Sequence, residues 1–381
     1  MPFRAKSGRR AGVTLIELLV VISILLALAV LLVRVLPGVL ESRRVREAAR
    51  LVNVFLGTAR NRAVETGRPV AVVFFRDPNL PQACVKLQEA EVPPPYAGDY
   101  TDSRIVCFPW TAQPNTVQVC FSGGEFPFPK QFDANQHGEG IVNIGDQFQL
   151  NYQGVVWTIT GIWQGPPVPP PLQLQGRPTW LLSLSSPTPS PLPVCAVMDA
   201  NGNRLPLPFQ FFRQPVLWQP GTSRAQVVGS LVPPVTLPER TVVDLFYSGT
   251  EEHLQFLIPI INNWRAETPV CVVFSPTGAV QGYYYLCPEH PGYVEHYHHA
   301  VSPLFFLIGR RDRVTLDLPP VAQYTTPAED GLFNLGDTNN LWVTVNPQTG
   351  MVTTTEVASA PNATLAQARR FAREAQRMGG Q

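Results

Sequence analysis

Charge is scarce in this chain of 381 residues: only 15% are Asp, Glu, Lys or Arg, against about a quarter in average domains. Recognisable catalytic signatures are missing too. C-x-x-C does not occur, which weighs against a thiol oxidoreductase or a zinc ribbon. Neither G-x-S-x-G, H-E-x-x-H nor a P-loop occurs, so the chain offers no nucleophile elbow, zincin helix or phosphate-cradling loop. The sequence therefore reads as a non-enzyme with no cofactor. Hydrophobic content of 45% is ordinary and sufficient for a real core.

Proline is abundant instead, 40 residues beside 28 glycines. That density excludes a helical bundle over most of the length, because proline lacks the donor that a helix interior uses. The net charge of +1 hides an asymmetry. Residues 1–68 hold twelve basic and four acidic side chains (+8), and residues 364–381 contribute +3, leaving −10 for the middle. Basic ends flank an acidic body.

One long apolar run is present, Val13–Val33, broken only by Thr14, Glu17 and Ser23 and preceded by Arg4, Lys6, Arg9 and Arg10. Its 21 residues are long enough for a helix to span ~30 Å of hydrocarbon. The basic flank predicts a cytoplasmic N-terminus with the bulk across the membrane. No small-residue signal-peptidase site follows. Glu17, an ionisable group inside such a run, is a functional candidate.

Gly12 followed by Val13-Thr-Leu-Ile-Glu17-Leu-Leu-Val-Val-Ile22 resembles the N-terminal signal of type IV pilins and type II secretion pseudopilins. The resemblance implies prepilin peptidase cleavage between Gly12 and Val13, N-methylation of Val13, and a subunit-assembly role for Glu17. A buried carboxylate needs a partner, and the freed amine of a neighbouring subunit supplies one. After Pro37-Gly38, expected to kink or melt the helix, an amphipathic pattern resumes. Leu40, Val45, Ala48, Ala49, Val52, Phe55, Leu56, Ala59 and Ala63 form one face, and arginines populate the rest. Gly67 and Pro69 end it.

The body reads as β-structure. Strand-like pieces are Val70–Phe75, Arg104–Phe108, Thr116–Phe121, Gln147–Tyr152, Val155–Ile162, Trp180–Leu184, Arg240–Tyr247, Val270–Phe274, Val280–Leu286, Phe305–Ile308, Arg313–Leu318, Leu341–Val345 and Met351–Val357. Hairpin turns are expected at Gln153-Gly154, Ser275–Gly278 and Asn346–Gly350. PPVPPP at 166–171 reads as a plain loop, with a polyproline ligand as the alternative. The runs at 237–249, 272–280 and 341–352 resemble the β-domain of H-type (GspH/FimT-like) minor pseudopilins, with a large insertion.

The expected fold is therefore α+β: a long membrane-spanning and amphipathic N-terminal helix packed on an antiparallel, pilin-like β-domain. The expected parts are a leader (1–12), a transmembrane half-helix (13–36) and an amphipathic half (37–68). They continue with the β-domain (69–78 and 236–358), a Pro-rich β insertion (79–235) and a basic C-terminal helix or tail (359–381).

Three clusters are further candidates. Six cysteines fit disulfides if the body is exported, with Cys107–Cys120 and Cys271–Cys287 the candidate pairs. His290, His296, His298 and His299 lie near Glu289 and Glu295, a set able to hold Zn²⁺ or Cu²⁺ or to be an idle loop. Arg369, Arg370, Arg373 and Arg377 form a basic helical stretch. Some FimT-like minor pilins resemble it in capturing DNA through a basic C-terminal segment, while docking on the acidic body is the alternative.

Function is expected to be structural: a minor pseudopilin of a type II secretion pseudopilus, placed at the filament tip to support export. Its implied partners are prepilin peptidase, other pseudopilins or pilins and an inner-membrane assembly platform. The implied location is a single pass of the bacterial inner membrane with a periplasmic body. The alternative is a minor type IV pilus subunit binding DNA or a surface ligand.

Overall fold

The computed structural model describes residues 15–122, 127–128, 140–166, 178–186, 190–200, 202, 204–215, 233–251, 256, 269–286, 295–314, 333–358 and 365–377, the side chains of 28–39, 122, 286, 295, 296, 375 and 376 aside. Helix α1 (Leu15–Thr66) passes through Pro37-Gly38 as helix, so the expected melting there does not occur. Gly67, at φ +64, follows its last residue, the left-handed position that glycine adopts freely after a helix.

The chain then builds a ten-stranded antiparallel sheet. Its strands are β1 (Val70–Asp77), β2 (Leu80–Glu91), β9 (Val235–Thr236), β10 (Thr241–Gly249), β11 (Val270–Phe274), β12 (Val280–Leu286), β13 (Glu295–His299), β14 (Leu304–Arg310), β15 (Leu341–Val345) and β16 (Val352–Glu356). The order is β13-β12-β11-β1-β2-β10-β14-β15-β16, with β9 beside β2. The β11–β12 and β15–β16 hairpins turn where Ser275–Gly278 and Asn346–Gly350 were expected. The turns touch: a β-carbon on Gly350 would collide with the Gly278 carbonyl oxygen. Arg60 of α1 donates from Nε to both Gly278 O (3.2 Å) and Thr349 O (2.9 Å).

Alternation along β1 divides the sheet's two faces. Val72 and Phe74 join the core under α1, while Ala71 and Val73 join a second cluster with Cys271 and Tyr284. The helix face expected from the sequence, Val45 through Ala63, is buried in the first core; Leu40 is 49% exposed. Alanines at 48, 49, 59 and 63 let the helix approach closely, and Phe74 stacks on Phe306 at 4.5 Å. A short helix, α2 (Leu365–Arg377), packs Ala368 and Ala372 against Phe246, Tyr247, Phe305 and Trp342 in a separate cluster.

Between β2 and β9 lies a second sheet: β3 (Arg104–Pro109), β4 (Thr116–Ser122), β5 (Gln147–Leu150), β6 (Trp157–Gly165), β7 (Thr179–Ser185) and β8 (Phe209–Phe212), in the order β3-β4-β7-β6-β5-β8. Leu207, just before β8, exchanges two backbone bonds with Ile105 of β3 at 2.8 and 2.9 Å. That bridge closes the sheet into a small barrel. Phe121, Phe128, Phe148, Trp157, Trp180, Phe209 and Phe211 fill it. The barrel thus has its own aromatic core. β2 lies within the stretch read as insertion but pairs in the first sheet.

The expected fold class needs correction. The molecule is mostly antiparallel β-sheet, and among the described residues no helix is long and apolar enough to cross a membrane. α1 is instead held over its second half, Val45 to Ala63, in the core against the large sheet. The expected single-pass inner-membrane placement is overturned by the same finding.

Candidate functional site

The largest unpartnered apolar surface described is the first part of α1. Leu15 is 82% exposed, Leu19 58%, Ile22 48% and Leu26 62%, with Ile16, Leu18, Val20, Val21, Ile24 and Leu25 similarly open. Contiguous apolar exposure on this scale marks an interaction surface. Burying these ten side chains from half-exposure is worth on the order of 10 kcal/mol, from 1.5–3 kcal/mol per fully buried residue. Ser23 is satisfied within the helix, its hydroxyl donating to Leu19 O at 2.8 Å. Glu17 lies in this stretch; Gly12 and Val13 lie outside the described residues.

The tail arginines do not share one outward face. Arg369 is 1% exposed. Its guanidinium donates to Tyr247 O at 2.6 Å, to Thr250 O and to Glu251 O at 3.3 Å, and lies 5.9 Å from the Phe305 ring centroid. Burial draws its pKa down to about 9, leaving it a cation at neutral pH. Arg373 pairs with Glu251, and Arg370 with Glu374 at 3.1 Å. Arg370 and Arg377 are exposed. The four arginines are thus divided between an internal anchor and the surface.

Cys107 and Cys120 sit on adjacent strands but one register step apart, Cys107 opposite Val119 and Val106 opposite Cys120. Neighbouring positions point to opposite faces, so Cys107 enters the barrel core while Cys120 packs with Val106 outside it. Cys107 and Cys120 stand symmetrically about Gln113-Pro114 in the sequence, and the hairpin register is offset from that midpoint by half a step. Cys271 is buried opposite Tyr284; Cys287 lies outside the described residues. His296, His298 and His299 stand on β13 and His290 is not described. The His298 ring lies over Tyr283 at 5.5 Å and against Tyr285 at 4.9 Å, and His299 meets Tyr297 edge-on. Among the described residues no group of three His, Cys, Asp or Glu could hold a metal ion.

A buried polar cluster escaped the sequence reading. Asp244, fully buried in β10, accepts from Phe246 N–H (3.0 Å) and from Asn334 Nδ2 (2.8 Å). Asn334 also accepts from Arg310 N–H, and Asn340 donates to Asn334 O. Burial pushes the Asp244 carboxyl up to about 7. The available signal was an aspartate inside the apolar run Thr241–Tyr247. A cleft of about 460 Å³ beside it is lined by Asn79, Arg240, Arg310, Arg311 and Asp312. Arg310 pairs with Glu41 and Asp312, and Arg311 with Asp77 at 2.5 Å, so much of its positive charge is matched.

Comparison of the chain with family models, with curated proteins and with solved structures finds no match.

Proposed function

We propose that this chain is a minor pseudopilin, a non-catalytic subunit of a filament serving protein export, cut by a prepilin peptidase between Gly12 and Val13. The carrying observation is α1 itself. Its second half is buried against the large sheet, while the apolar side chains of its first part, Leu15 to Leu26, stand exposed among the described residues. A helix anchored at one end and apolar at the other is suited to packing against equivalent helices of neighbouring subunits, with Glu17 meeting a neighbour's freed amine. The barrel inserted between β2 and β9 adds bulk to the fold. Such bulk suits a minor position better than a repeated one, where it would hinder lateral packing. DNA capture is not adopted, because Arg369 and Arg373 are engaged within the chain.

The test is co-expression of the full chain with a prepilin peptidase, followed by intact-mass and N-terminal analysis. Loss of residues 1–12 with a methylated Val13 is expected. An unprocessed N-terminus overturns the proposal.

A further inference from the structure

Cys195 belongs to segment 190–197, which carries no strand ladder of its own, yet is bonded directly to β3. Its backbone N–H donates to Cys107 O at 3.1 Å, and the Cys107 N–H donates to the Cys195 sulfur at 3.3 Å. The Cys195 thiol also points at Ile105 O, 3.6 Å away. Both side chains are fully buried in the barrel core. The two thiols are also hydrogen-bonded to each other, so the sulfurs that a disulfide would join already face one another.

We propose that Cys107 and Cys195 are a cross-linking site, joined by a disulfide that ties segment 190–197 to β3 and fastens the barrel. The link would close a loop spanning 88 residues, the kind of long closure that most restricts the unfolded chain. The electrostatics support the chemistry. The hydrogen bond from the Cys107 thiol draws Cys195 down to about 7, with the Arg204 guanidinium adding its charge. Arg204 donates to the Cys195 carbonyl and stays beside it. Cys84, in the other core, is instead pushed up to about 12 by burial.

The oxidant is a small-molecule or protein disulfide. When segment 190–197 lifts from β3, the Cys195 thiolate attacks one sulfur of that disulfide, forming a mixed disulfide and releasing a thiolate. Cys107 then loses its proton, its sulfur attacks the Cys195 sulfur, and the second thiolate leaves. The two cysteines lose two electrons and two protons, and the oxidant gains both as two thiols.

The full chain, treated with oxidised glutathione, is denatured with an alkylating agent, with and without prior reduction. It is then digested with chymotrypsin, which cuts after Trp110 and separates Cys107 from Cys120. A linked peptide containing Cys107 and Cys195, lacking two hydrogens and abolished by reduction, is expected. Alkylation of both residues without reduction, or a link from either to another cysteine, overturns the proposal. The oxidised wild type should also melt lower once reduced, and the C107S/C195S variant should show no such drop. An unchanged wild-type melting temperature contradicts the cross-link.

Discussion

Arg369→Ala should loosen α2 and cost stability far beyond what its surface neighbours cost. In β10 the ladder to β14 breaks register between Asp244 and Gly249. Ser248 fills part of the break, its hydroxyl donating to Asp244 O at 2.5 Å and accepting from Leu307 N–H at 3.0 Å. The Tyr247 and Thr250 carbonyls are served by Arg369. Truncating the side chain removes these bonds and the one to Glu251 O, and leaves two buried acceptors, each costing about 1–3 kcal/mol, besides a cavity. A loss of about 3–5 kcal/mol is therefore expected in urea denaturation, with faster amide exchange in α2 and in 247–251. Arg370→Ala is the internal control: its side chain is 79% exposed and its pair with Glu374 lies on the surface, so about 0.5 kcal/mol or less is expected. Equal effects of the two substitutions would refute the anchor.

Asp244→Asn should flatten part of the pH dependence. The folded carboxyl is raised from near 4 to about 7, so between those values the folded state holds a proton that the unfolded chain has released. Stability from this group is full below pH 4 and falls as pH rises toward 7. The span approaches roughly 4 kcal/mol at about 1.4 kcal/mol per pH unit; an unchanged slope in the variant refutes it. Leu56→Ala should cost about 2–5 kcal/mol and Val54→Ala within about 0.5, because Leu56 is fully buried and Val54 is 57% exposed; denaturant midpoints decide. Leu19→Asp should weaken self-association of the full chain in sedimentation without lowering the stability of the β-body, since Leu19 is 58% exposed.

Most strands were legible because turn chemistry delimits them. The Gln153-Gly154 turn located β5 and β6, and Asn346–Gly350 located β15 and β16. β2 was not legible: Lys86, Glu89 and Glu91 break its apolar alternation, and Glu89 is buried only because Arg62 of α1 reaches it at 2.8 Å. β8 is four residues between prolines, recognisable only through its pairing with β5. Burial of α1's second half followed its periodicity, since the sheet supplies a matching face. The Arg369 anchor could not be read, because its need arises from the register break in β10, more than a hundred residues earlier. Membrane crossing was read from the apolar length of residues 13–33 and their basic flank, and among the described residues no helix is long and apolar enough for it.

The proposed function rests on packing of the exposed apolar part of α1 against the same helix of neighbouring subunits. A photo-cross-linking residue placed at Ile22 of the full chain, co-expressed with prepilin peptidase and its filament subunits, tests it directly. Adducts to the N-terminal apolar helix of another pilin-type subunit are expected. Adducts confined to the chain's own residues, or none, would contradict it.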